Sequence, residues 1–185
     1  NGWRQVYFIY PSIVFICVYG LNQLLYIKNI RKFVLTFFGI LFIYVLNWNY
    51  QNHPYQYVYY NELINNKIIK SYELDYWGVS NLEILKKILE FSKDKKIKVY
   101  KYSNAPYEYS LNMIDKNQRN RLIFTNNIDN AEYIVTNHMY RSKKPHIEDT
   151  NLINDFKLVY EINLDNVSIN SIYKKKWDYL YTRVL

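Results

Sequence analysis

The chain opens apolar on every face and then changes character. Val6 to Ile27 runs without a charge, and so does Phe33 to Trp48. A helix needs about 20 mainly apolar residues to cross a bilayer. The first run meets that length. The second, at about 1.5 Å per residue, reaches roughly 24 Å, so Lys32 must snorkel or the bilayer thin beside it. Neither run carries a polar stripe, which favours two spanning helices over two core helices. Pro11 falls in an early turn of the first, where its missing N–H costs little.

After Tyr50 the pattern becomes that of a half-buried α/β domain. Residues 51–78 are rich in tyrosine, and amphipathic rings of that kind suit a membrane interface. Ser80-Asn81-Leu82-Glu83 has the form of a capping box. It predicts a helix whose apolar positions are Leu82, Ile84, Leu85, Ile88, Leu89 and Phe91. Strands are predicted over 97–102, 121–125 and 131–136, with a weak helix over 107–116 and a loop over 139–152. Phe156 to Leu164 and Val167 to Tyr173 read as two strands joined by Asp165-Asn166, a two-residue hairpin turn. The predicted fold is two transmembrane α-helices followed by a small α/β domain with a mixed sheet. Its parts are a helical hairpin over 1–50 (spans 6–27 and 33–48), an aromatic juxtamembrane connector over 51–78, and an extracytoplasmic α/β domain over 79–185.

Charge sets the orientation. Residues 1–50 hold no Asp or Glu, and three of their four cations, Lys28, Arg31 and Lys32, sit within five residues of each other. By the positive-inside rule that turn is cytoplasmic, which leaves Arg4 and everything after Tyr50 outside. Trp3, Tyr7 and Tyr10, with Tyr44, Trp48 and Tyr50, form interfacial belts on that outer face. The 24 Lys and Arg against 16 Asp and Glu give +8 overall. Half of this excess comes from the apolar first quarter, so the α/β domain is only mildly basic. Its lysines are spread among acids and Arg is scarce, which argues against a nucleic-acid partner.

Composition narrows the chemistry further. A single cysteine, Cys17, excludes an intramolecular disulfide and a cysteine-based zinc site. Four glycines leave no glycine-rich phosphate loop. The abundance of Asn, Tyr, Ile and Lys, all with A/T-rich codons, reflects base composition as readily as function. His138, His146, Glu148 and Asp149 lack the spacing of a metal site, and loop polarity accounts for them. Glu73 and Asp75 beside Tyr76 and Trp77 resemble the carboxylates and stacking rings of glycoside chemistry. Carboxylates two apart share a face only in an extended strand, and capping the turn before Gly78 accounts for Asp75 more simply. No cofactor is implied.

Three runs have a more specific look: Asn1 to Pro11, His53-Pro54-Tyr55-Gln56-Tyr57-Val58-Tyr59-Tyr60-Asn61-Glu62, and Tyr72-Glu73-Leu74-Asp75-Tyr76-Trp77-Gly78-Val79-Ser80. With the C-terminal hairpin over 159–174, they resemble the C-terminal part of bacterial multi-spanning glycosyltransferases related to protein O-mannosyltransferases. Gln5 stands where that pattern has His, and Asn166 where it has Gly. The resemblance implies an enzyme of the cytoplasmic membrane that takes a sugar from a polyprenyl-phosphate donor on the outer face. It implies a catalytic acid in an early loop of a longer protein, so no residue here inherits that role. Candidate ligands for the lipid phosphate, close to the membrane surface, are Arg4, His53, Tyr57 and Tyr60. Arg4 is the strongest anion binder of the four. The rival reading is a non-catalytic, membrane-anchored binding or assembly module.

Overall fold

The computed structural model of the protein describes residues 7–60, 64–65, 69, 72, 74–139, 147 and 150–176. The chain forms two compact units that divide between His53 and Pro54. In the first, a 3-10 turn over Tyr7–Ile9 leads into α1 (Tyr10–Tyr26), with Pro11 in its opening turn. Ile27 alone leaves the helical conformation (φ −78°, ψ 100°), and α2 (Lys28–Gln51) begins at once. The basic segment expected to be a turn is therefore the start of α2. Lys and Arg are good helix formers, and one extended residue suffices to interrupt the hydrogen-bond ladder. The second helix, expected to be short, has 24 residues, or about 36 Å.

Both helices are long and apolar enough to cross a membrane. Their surfaces are bare. No residue of α1 is buried, and α2 buries only Val34 and Trp48. Phe15, Phe33 and Ile43 each keep about two thirds or more of their surface exposed.

The second unit is built on a five-stranded mixed sheet in the order β2-β1-β3-β5-β4. Its strands are β1 (Ile97–Lys101), β2 (Leu122–Thr125), β3 (Tyr133–Thr136), β4 (Phe156–Leu164) and β5 (Val167–Lys175). β1 pairs in parallel with β2 on one side and β3 on the other, and β5 is antiparallel to both β3 and β4. One helix, α3 (Asn81–Phe91), buries Ile84, Leu85 and Ile88 completely and Leu89 almost so. These positions recur at the helical period, and each large aliphatic side chain so buried contributes roughly 1.5–3 kcal/mol. They pack with Ile97, Val99, Tyr133, Val135, Ile169 and Ile172 of the sheet in one core. Ile134, Phe156 and Tyr173 form a second cluster with Tyr102 and Ile147. Short helices α4 (Tyr107–Leu111) and α5 (Lys116–Arg119) occupy the β1–β2 connection, and α6 (Leu152–Asp155) precedes β4.

The stretch expected to be a connector contributes to this unit instead. Tyr55, just before a 3-10 turn over Gln56–Val58, and Val58, the last residue of that turn, are buried in the α3 core, and Asp75 is fully buried. The hairpin forms as predicted. Asp165 and Asn166 both adopt positive φ, 47° and 65°, the backbone of a type I′ turn.

Candidate functional site

The residues around Asp75 begin the site. Residues 74–77 form a turn that ends at Gly78, whose φ is +67°. A side chain there would be strained, and its Cβ would stand 2.3 Å from the Asn81 amide nitrogen. Inside the turn the Asp75 carboxylate accepts the Val79 N–H at 2.9 Å, the Tyr57 hydroxyl at 2.5 Å and the Ser80 hydroxyl. Ser80 stands at the N-cap of α3 yet makes no cap hydrogen bond. Its oxygen also accepts from the Asn170 amide at 2.7 Å. Asn170 accepts in turn from Tyr107, at 3.2 Å. Glu83, the other half of the expected capping box, accepts the Tyr55 and Tyr160 hydroxyls, each at 2.5 Å. A polar network thus replaces the predicted cap and ties the turn to α3, α4 and β5.

Electrostatics follow from that burial. Desolvation raises the Asp75 carboxyl above its ordinary value, although the Ser80, Tyr57 and Val79 donors oppose the rise. Burial, then the neighbouring carboxylates, push Tyr57 and Tyr55 far up. The same causes, burial first and Glu83 second, take Tyr160 up to about 12. In each case the phenol donates its proton to a carboxylate.

Asp75 holds the turn from within. Its backbone carbonyl accepts the Asn137 amide at 2.8 Å, and the Asn137 N–H donates to the Ser103 hydroxyl at 3.2 Å. Ser103 follows β1 and Asn137 follows β3, so the 74–78 turn lies at the carboxyl ends of these two parallel strands. Strand order reverses there, since the chain leaves β1 for β2 on one side and returns to β3 on the other. Open α/β sheets bind ligands at such a point. An open cleft of about 770 Å3 occupies it, with Tyr76, Trp77, Ser103, Asn104, Glu108 and Tyr109 among its lining. Trp77 and Tyr109 are 74% and 76% exposed. Lys101 is ion-paired with Glu108 beside them, and its ammonium lies 5.3 Å from the centre of the Phe124 ring.

The candidate phosphate ligands fare differently. Arg4 lies outside the described residues. His53 is exposed at the end of the first unit, whereas Tyr57 and Tyr60 belong to the second. Tyr57 is partly exposed and donates its hydroxyl to the buried Asp75. Tyr60 stacks on Tyr72, with ring centres 5.9 Å apart.

His146, Glu148 and Asp149 lie outside the described residues, and among the described residues no three His, Cys, Asp or Glu gather as for a metal. His138 has φ +56° and sets its Nε2 3.1 Å and 3.2 Å from the Ser171 and Ser168 hydroxyls. This is hydrogen-bond reach for a base and a nucleophile. Ser171 is fully buried, whereas Ser168 is half-buried and lies 3.0 Å from the Ser171 hydroxyl. Neither the His138 contact nor the cleft is visible in sequence, because their members come together only across strands. The local signal is the pair Tyr76-Trp77, whose rings the sequence offers as stacking surfaces. Compared with known proteins, the chain matches no family model, no curated protein and no solved structure.

Proposed function

We propose that this chain is the C-terminal part of a membrane glycosyltransferase that uses a polyprenyl-phosphate sugar on the outer face of the cytoplasmic membrane. The observation that carries the reading is the 2.5 Å hydrogen bond from Tyr57 to Asp75. It joins the two segments, 53–62 and 72–80, on which the resemblance to that enzyme class rests. Their side chains build one turn rather than two unrelated stretches. The bare apolar surfaces of α1 and α2 support a membrane setting, because apolar area left in water forgoes about 25 cal/mol per Å2.

The reaction is an inverting displacement. An acceptor hydroxyl oxygen bonds to the sugar C1 while the C1–O bond to the lipid phosphate breaks. The hydroxyl proton passes to a carboxylate base. Asp75 is held by three internal donors and Glu108 by Lys101, and the resemblance implies a base in an early loop of the longer protein. The α/β unit then stands on the acceptor side.

The test uses the full-length protein in lipid nanodiscs with a radiolabelled polyprenyl-phosphate hexose. Release of polyprenyl phosphate, dependent on an acidic residue in an early extracytoplasmic loop, is the expected result. If a panel of polyprenyl-phosphate sugars is left intact, the chain is the membrane-anchored binding module instead. Upstream sequence gives a second check, with eight or more further hydrophobic runs expected and an initiator Met directly before Asn1 contradicting the enzyme.

A further inference from the structure

We infer that the cleft at the carboxyl ends of β1 and β3 binds a neutral oligosaccharide, whose rings stack on Trp77, Tyr76 and Tyr109. The inference deepens the glycosyltransferase reading by giving the acceptor side a ligand class, and it rests on that reading only for the word acceptor.

Three observations converge on this ligand. The first is the aromatic surface. Trp77 and Tyr109 leave about three quarters of their area uncovered in a concave wall, and Tyr76 more than a third. Tyr76 meets Trp77 edge to face, with centroids 5.2 Å apart and planes at 87°. That contact holds the indole plane without covering it. Flat apolar faces with polar rims match a sugar ring, which has C–H groups on its faces and hydroxyls around its edge.

The second is the polar lining. Ser103, Asn104, Glu108 and Lys101 mix donors and acceptors around the rings. Lys101 and Glu108 neutralise each other, so the cleft offers no net charge to a phosphate, a nucleotide or an acidic peptide. Neutral hydroxyls, which both donate and accept, use such a lining fully.

The third is preorganisation. The turn bearing Tyr76 and Trp77 is held from below by the three hydrogen bonds to Asp75, and from the side by Asn137. A ligand pays little to order a wall already fixed. The volume of about 770 Å3 lies within the usual range of ligand clefts and leaves room for more than one ring.

The competing occupant is the membrane itself, since Trp and Tyr also favour the lipid interface. The experiment separates the two. Full-length protein in nanodiscs is titrated with mannotriose, maltotriose and chitotriose, and binding is followed by saturation-transfer NMR and by the Trp77 emission. That emission is isolated by subtracting the Trp77→Phe spectrum. At least one trisaccharide is expected to bind and blue-shift Trp77. Trp77→Ala or Tyr109→Ala should weaken binding about tenfold or more, Trp77→Phe by no more than about threefold, with unfolding temperatures unchanged.

Absence of binding for all three sugars overturns the inference, as does binding indifferent to Trp77→Ala. Strong quenching of Trp77 by brominated acyl chains also overturns it and makes the ring a membrane anchor. Polyprenyl-phosphate release is scored separately. Sugar binding without donor turnover removes the enzyme and keeps the cleft; donor turnover without sugar binding does the reverse.

Discussion

Asp75 shows how one side chain can look catalytic in a sequence and be structural in a fold. Its carboxylate is wholly buried and receives three donors. Asp75→Ala strands the Tyr57 and Ser80 hydroxyls and the Val79 N–H. The orphaned buried Ser80 hydroxyl costs about 1–3 kcal/mol and the part-buried Tyr57 and Val79 groups less, so a loss of about 2–3 kcal/mol is expected in chemical denaturation. Asp75→Asn keeps an acceptor for Tyr57 and Val79 but faces Ser80 with a donor, and should lose only about 1 kcal/mol. The pH response has a definite sign. Because burial raises the folded carboxyl above its unfolded value, the folded state binds more protons between the two. Stability therefore falls as pH rises from the ordinary carboxylate range through the raised value, then levels. Unfolding midpoints of the wild type measured across that window should show the fall and those of Asp75→Asn should not; equal profiles would mean the carboxylate is not desolvated. None of this is legible in sequence. Glu73 and Asp75 stand two apart and invite pairing, whereas the groups that hold Asp75 in place lie 4, 5, 18 and 62 positions away.

At the scale of elements, legibility tracks how local the determining physics is. The hairpin is local. Asp165-Asn166 between two alternating runs forms a type I′ turn, and Asn tolerates the left-handed backbone that the turn requires. Asn166→Val puts a β-branched residue at φ 65° and should cost about 1–2 kcal/mol, while Asn166→Gly should stay within about 0.5 kcal/mol of wild type. Equal losses for both would show that the turn geometry is not what the residue supplies. α3 was legible for the same reason, since its apolar period needs no knowledge of what it packs on. Its start was not. Ser80 has the residue type of a cap, but its hydroxyl donates to the buried Asp75 carboxylate and its oxygen accepts from the Asn170 amide in place of a helix N–H. The start of α2 was missed for a different reason. Charge marks the limit of an apolar run, and a helix can continue through charged residues that are good helix formers. Tyr55 and Val58 joined the core unforeseen because an aromatic run has no period that separates an interface from an interior.

At the scale of the molecule, the two units have opposite surfaces. The α/β unit hides its aliphatic side chains around α3, whereas α1 and α2 expose theirs along nearly their whole length. Orientation then rests on Lys28, Arg31 and Lys32, which lie in the opening turns of α2. A helix dipole disfavours cations at that end, by less than the positive-inside bias that would place them in the cytoplasm. The prediction is that residue 29 faces the cytoplasm and residue 95 the exterior. Cys17 is replaced by Ser, and single cysteines are introduced as Asn29→Cys and Lys95→Cys. Lys95 is exposed in the turn before β1, whereas Ser103, in the loop after that strand, is buried and holds Asn137. In intact cells an impermeant maleimide should label the cysteine at position 95 and reach that at position 29 only after permeabilisation. The opposite pattern would invert the chain and set the Trp77 cleft in the cytoplasm, away from any acceptor on the outer face. Labelling of both sites without permeabilisation would show that α2 does not cross the membrane.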